Sequence, residues 1–360
     1  MLPNINIVFK EQGITAITRG QRGIVALILR DTFGLEEPAQ IYTAADTPVE
    51  LNEFNKEQIN LALLGYQRPP RKVVVYVIDD LAVDYAEALN YLETVRFDYL
   101  AIPEIEAGET EVIATWIKGL RDTKDKRVKA VLPNMAADHE GVINFASQII
   151  KTIDKTFTTA EYCGRIAGLL AGTPMQIAAT YATLPEVIDT DHLTREEFNV
   201  GIGEGELLLY NDGDKVKIAR GVNSLITTTD LKGDSFKKIK ILDAMDMIHD
   251  DIKKTAEDNY LGKYANSYDN KCLLISAIGG YFDTLELDGI LDKDKSFIGI
   301  DIESQAAYLK SVGYAEPDGR TIVDMNEQEI KQANTKDKVF LAASVKILDA
   351  IEDIVLNISI

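Results

Sequence analysis

Ile24-Val25-Ala26-Leu27-Ile28-Leu29 and Val73-Val74-Val75-Tyr76-Val77-Ile78 are two nearly unbroken apolar runs in the first quarter of the chain. A strand with one face in water alternates apolar and polar residues, so short continuous runs predict strands buried on both faces, as in a mainly parallel sheet. Residues 99–102 and 128–132 predict further strands. Between the first two, Thr47, Pro48 and Glu50 read as a capping box that opens a helix with Leu51, Phe54 and Leu61 on its buried stripe. Asp80 predicts a second helix start, ahead of Leu81, Tyr85, Leu89 and Leu92, and residues 109–120 predict a third helix. Strand and helix keep exchanging places. Residues 21–195 are therefore expected to form an α/β lobe with a mixed, largely parallel sheet.

A capping box from Thr158 to Glu161 opens a further helix, with Tyr162, Ile166 and Leu169 at helical spacing and Gly172 and Pro174 as its stop. After this the pattern changes. Residues 206–210 and 215–219 flank Asn211-Asp212-Gly213-Asp214, which predicts a hairpin. Ile241, Met245, Ile248 and Ile252 are spaced to form the apolar face of a long helix, and residues 272–285 and 304–312 predict two more. Residues 196–346 are expected to form a second, α+β domain, so the chain is α/β in its first lobe and α+β overall.

The two extremities alternate. Ile5, Ile7 and Phe9 lie on one side of an extended stretch, and Ile354, Leu356, Ile358 and Ile360 do the same at the other end, after a strand candidate at 339–348. These ends, residues 1–20 and 347–360, predict two terminal strands that either extend as arms or fold back as edge strands on their own domain.

With 360 residues the chain is long enough for two lobes. Fifty-eight acidic against 38 basic residues give a net charge of −20, which repels phosphate backbones and anionic lipid, so neither nucleic acid nor membrane is an expected partner. Met1-Leu2-Pro3-Asn4-Ile5-Asn6 has no basic region and no apolar core, which predicts no secretory signal. Cys163 and Cys272, far apart in sequence, are expected to be reduced core residues of a protein made in a cytoplasm.

The residues offer no recognisable chemistry. A nucleotide-binding fold needs a glycine-rich turn after its first strand, but the chain has Leu29-Arg30-Asp31-Thr32-Phe33-Gly34. Gly201-Ile202-Gly203-Glu204-Gly205 places a glutamate where phosphate would sit and reads as a turn before the hairpin. His139, His192 and His249 stand far apart, and His139-Glu140 lacks the second histidine of a metalloprotease helix. Asp292-Lys293-Asp294-Lys295-Ser296 lacks the glycine and final glutamate of a calcium loop. Asp243, Asp246 and Asp250 share a helical face and are expected to meet water, with a basic patch on a neighbouring subunit as the other possibility. Arg19, Arg22, Lys237, Lys238 and Lys240 are expected in solvated loops, or else against an acidic partner. No catalytic residue, cofactor or metal site is expected. The alternative is an α/β enzyme or small-molecule-binding protein whose site is too dispersed to recognise.

Gly221-Val222-Asn223-Ser224-Leu225-Ile226-Thr227-Thr228, followed by the helix-forming run from Lys240 through Ile252, resembles the opening of the carboxy-terminal domain of contractile phage tail sheath proteins. Arg22-Gly23-Ile24-Val25-Ala26-Leu27 and Arg71-Lys72-Val73-Val74-Val75-Tyr76 resemble that family's first core strands, above all in phages and phage-tail-like (R-type) bacteriocins of Gram-positive bacteria. The resemblance spans nearly the whole chain and rests on the order of the motifs. It departs at the start, where many sheaths carry Pro-Gly-Val-Tyr and this chain has Leu2-Pro3-Asn4-Ile5, and the large inserted outer domains of longer sheaths are missing.

The resemblance implies a structural subunit that polymerises with itself as stacked hexameric rings around a tail tube protein, bounded by baseplate and tail terminator proteins. It would assemble in the bacterial cytoplasm and become part of a virion or phage-tail-like particle. It also implies that the terminal strands Ile5, Ile7 and Phe9, and Ile354, Leu356, Ile358 and Ile360, complete sheets in neighbouring copies. Burying an aliphatic side chain contributes about 1.5–3 kcal/mol, and ordering a residue costs about 1–2 kcal/mol, so the arms are expected to order only in the assembly.

Overall fold

A computed structural model describes residues 16–20, 22–32 and 37–359. Ile5, Ile7, Phe9 and Ile360 lie outside the described residues. The fold divides into two compact units, one of residues 21–247 with 349–360 and one of residues 1–20 with 248–348. The sequence expectation put the division at 195/196 instead.

In the first unit the elements run β1 (Ile24–Asp31), β2 (Ala39–Ile41), α1 (Glu53–Leu64), β3 (Lys72–Asp79), α2 (Ala86–Thr94), β4 (Tyr99–Ala101), α3 (Thr110–Asp122), β5 (Lys129–Pro133) and β6 (Val142–Phe145). They continue as β7 (Ile150–Thr152), β8 (Thr156–Phe157), α4 (Thr159–Ala171), β9 (Val187–Thr190), α5 (Arg195–Gly203), β10 (Glu206–Leu207), β11 (Leu209–Asn211) and β12 (Val216–Ile218). The helix α6 (Ile239–Thr255) crosses the division between the units.

The central sheet has seven strands in the order β10-β6-β5-β4-β1-β3-β2, all parallel except β2 against β3. The apolar run of β1 is continuous because its residues are shared between two cores. Val25, Leu27 and Leu29 pack with α1 and α4, whereas Ile24, Ala26 and Ile28 pack with α2 and α3 on the other face. This is the α/β architecture that the unbroken runs predict.

Two helix starts differ from expectation. Asn52, not Thr47, caps α1, its side chain accepting the Asn55 N–H at 2.8 Å, while Thr47 closes a short turn after residues 44–46. The cause is tertiary: the Asp31 carboxylate at the end of β1 accepts from the Asn52 N–H at 3.0 Å and the Asn55 amide at 2.9 Å, fixing where the helix enters. Likewise α2 begins at Ala86, because Asp79 accepts the Leu81 N–H at 2.8 Å and holds the preceding residues in a turn. The Thr158 to Glu161 capping box stands as expected. The predicted hairpin is present as β11 against β12, but Glu206–Leu207 belongs to the central sheet, beside β6. Gly201 to Gly203 ends α5 instead of forming a free turn.

The second unit holds α7 (Tyr268–Leu287), β13 (Phe297–Ile300), α8 (Ile302–Ser311), α9 (Glu327–Gln332) and β14 (Leu341–Ser344). Leu309, Met325, Ile330 and Ala333 form a small core there. β13 and β14 pair antiparallel as a sheet of two strands.

Candidate functional site

Three places among the described residues gather polar groups or exposed apolar surface. The first lies beneath the start of α6, where the sequence predicted acidic residues facing water. Asp246 is instead 2% exposed. Arg121 on α3 grips it with two nitrogens, at 2.9 and 3.0 Å, and Lys129 on β5 lies 2.6 Å from the same carboxylate. Lys129 also meets Asp243 at 2.9 Å, and the Tyr99 hydroxyl donates to Asp243 at 2.6 Å. A helix that places Asp243 and Asp246 over a strand bearing a buried lysine has its acidic face turned inward by charge, not outward by hydration. Of the expected stripe, only Ile241 is fully buried, whereas Met245, Ile248 and Ile252 are half-buried. Asp250 remains half-exposed, 3.0 Å from His249 Nδ1.

Burial alone would raise the Asp246 pKa, but the adjacent Lys129 and Arg121 charges outweigh it and hold the carboxyl well below the usual range. Burial, with Asp243 beside it, pushes the Tyr99 hydroxyl up. Each carboxylate here is already matched to a cation. The cavity at its edge, lined by Arg22, Asp98, Tyr99 and Asp243, is water-sized. Such an arrangement holds the start of α6 in register on the sheet.

The second place is the cluster of Asp122, His139 and Glu140, whose ligand atoms lie within 4.8 Å of one another. The Gly141 N–H donates to His139 Nδ1 at 3.0 Å, so the neutral ring carries its proton on Nε2, facing Asp122 at 3.3 Å. Lys232 lies 2.8 and 3.0 Å from the two Glu140 oxygens. The Nε2 proton and the Lys232 ammonium thus face the carboxylates of the cluster. The motif stretch after Gly221 locks this corner: the Ser224 hydroxyl donates to the His139 carbonyl at 2.9 Å, and Asp138 accepts from the Ile226 and Thr227 N–H groups, each at 2.8 Å.

The third place is the carboxy-terminal arm. Ile354, Leu356 and Ile358 are 81%, 74% and 77% exposed, and residues 349–359 belong to no strand. The arm begins at a clamp. Glu352 accepts the Thr180 hydroxyl at 2.5 Å on one oxygen and faces Arg220 Nε at 3.2 Å and Lys238 Nζ at 3.6 Å with the other. A second Arg220 nitrogen meets Asp353 at 2.6 Å, and Lys238 also pairs with Asp349. The lysine expected in a solvated loop is therefore held by its own chain. So are Arg22, 3.4 Å from Asp98, and Arg19, 2.7 Å from Asp288, while Lys240 is buried.

The clamp and the buried Asp246 were not found in the sequence. The signal for Asp246 was a lysine inside the strand run at 128–132, a position that a buried strand fills with charge only when a carboxylate faces it.

The chain's geometry is that of known sheath proteins. Residues 82–224 match the family model of the phage tail sheath protein central domain, and residues 232–360 match that of the phage tail sheath C-terminal domain. A tail sheath protein of Clostridium phage phiCD119 is 38% identical over 98% of both chains. Among solved structures, the sheath tail protein of Desulfitobacterium hafniense superposes with a TM-score of 0.71 at 19% identity, covering 83% of this chain and 94% of that one. The helical sheath of the anti-feeding prophage in its contracted state gives 0.72 at 14% identity over 100% and 99%. Full-length identity to a tail sheath protein, with both sheath domains matched in order, makes the chain a member of the phage tail sheath protein family, a structural subunit of a tail sheath.

Proposed function

We propose that the subunit polymerises as stacked hexameric rings around a tail tube, joined by exchanged terminal strands, and contracts to drive that tube through a cell envelope. In this reading residues 1–20 and 347–360 are arms, and baseplate and tail terminator proteins bound the polymer. It assembles in the bacterial cytoplasm and leaves as part of a virion or phage-tail-like particle.

The observation that carries the reading is the arm itself. Ile354, Leu356 and Ile358 alternate as a strand does, yet they lie exposed without a partner strand in their own chain, among the described residues. The sheet of β13 and β14 is the acceptor in this reading. Two-stranded sheets are marginal in water, and the outer edges of β13 and β14 carry no further strand among the described residues, with Phe297 exposed on β13. An arm from another copy added there supplies the missing strand and buries its own apolar side.

Negative-stain electron microscopy of the purified chain at high concentration tests this. Long hollow tubes or cogwheel rings are expected from the full chain, and only monomers from a chain lacking residues 354–360. Tubes from the shortened chain would overturn the arm linkage.

A further inference from the structure

Residues 349–359 follow the second unit in sequence, yet they group with the α/β unit. The arm is therefore not a simple extension of the unit it leaves. Its root is held by charge, since the apolar residues on either side of Glu352, Ile351 and Ile354, are 87% and 81% exposed and contribute little packing. The Glu352 side chain is only 8% exposed, and both of its oxygens are engaged. The Thr180 hydroxyl that donates to it also accepts the Gly221 N–H at 3.0 Å, so the clamp is built onto the backbone of the α/β unit.

We infer that Glu352 is the positioning residue of the arm: gripped by Arg220, Lys238 and Thr180, it roots the arm in the α/β unit and fixes where residues 354–360 set out towards a second copy. The inference rests on the strand-addition reading. A tethered strand meets its acceptor at an effective concentration set by where it emerges, so freeing the root spreads the arm over more positions and weakens linkage without removing any contact in the acceptor. Because the root is ionic, high salt acts in the same direction as its removal, damped by the burial of Glu352.

The test uses the full chain. Below its assembly concentration, ¹⁵N relaxation is expected to give residues 350–353 order parameters near about 0.85 and residues 355–359 below about 0.6, and Glu352→Ala is expected to bring 350–353 down to the tail's values. The same variant is expected to raise the critical concentration for tube formation about tenfold, and Glu352→Asp, which keeps the charge, is expected to lose much less of either readout than Glu352→Ala. An arm root equally ordered in Glu352→Ala, or an unchanged critical concentration, would overturn the inference. Failure of strand addition has a different signature: the relaxation contrast persists while deleting residues 354–360 leaves assembly intact.

Discussion

Arg121 and Asp246 meet through two parallel contacts, at 2.9 and 3.0 Å, with both side chains almost wholly buried. With Lys129 on the other side of the same carboxylate, one negative charge is set between two positive ones in a water-excluded site. Removing one partner from such a set costs more than the pair contributes, because the remaining charges stay buried and uncompensated. Asp246→Ala is expected to destabilise the chain by about 3–5 kcal/mol, read from the shift of the urea midpoint at constant slope. A loss under about 1 kcal/mol would mean that the cations find water or another carboxylate.

The same pair sets a pH dependence of known sign. The Asp246 pKa is lowered in the folded state, so its contribution is fully present above the unfolded carboxyl value of about 3.9 and is lost as pH falls below that towards the folded value. The stability difference between the parent chain and Asp246→Asn is therefore expected to be constant from about pH 5 to 8 and to shrink below about pH 4. A difference that grew on acidification would contradict the assignment.

The strands were the most legible part of the fold. Burial on both faces leaves its mark in consecutive residues, as Val25 and Ala26 show by entering opposite cores. Helix starts at Asn52 and Ala86 were not legible, because Asp31 and Asp79 decide them through contacts that local sequence does not encode. The acidic face of α6 misled for a related reason: a row of aspartates looks the same whether it meets water or a lysine inside a sheet. Alternation in the carboxy-terminal arm was visible, while the clamp at Glu352 joins residues 132 and 172 positions apart and leaves no local trace.

Close helix contact gives a third expectation. Gly168 on α4 faces the carbonyl of Ala62 on α1, and an added methyl would stand 2.0 Å from that oxygen, a backbone atom unable to swing aside. Gly168→Ala is expected to cost about 3 kcal/mol or more by forcing the helices apart, seen as a lowered melting temperature. Were it neutral or stabilising, the helices would have to cross at a greater distance.

The two cysteines should part company chemically. Both are free, but Cys163 is buried in α4, where burial pushes its thiol up, whereas Cys272 in α7 is half-exposed instead of lying in the core that the sequence suggested. Thiolate is the reacting form, so iodoacetamide on the native chain is expected to label Cys272 and to reach Cys163 only after denaturation. Mass spectrometry of the digested protein reads this directly, and native labelling of Cys163 would show that α4 opens readily.

The arm gives the sharpest contrast between monomer and polymer. Ile354→Asp and Ile358→Asp change residues that are 81% and 77% exposed in the single chain, so monomer stability is expected to move by less than about 0.5 kcal/mol. In a strand added to a neighbour's sheet the same carboxylates would be buried without a partner, at a cost of several kcal/mol, and tubes should not form. Asn357 occupies the opposite side of the alternation, where a carboxylate stays in water, so Asn357→Asp should assemble almost as the parent does. Sedimentation and microscopy of the three variants separate the outcomes: equal loss in all three would mean that charge near the arm, and not burial of one of its sides, controls assembly.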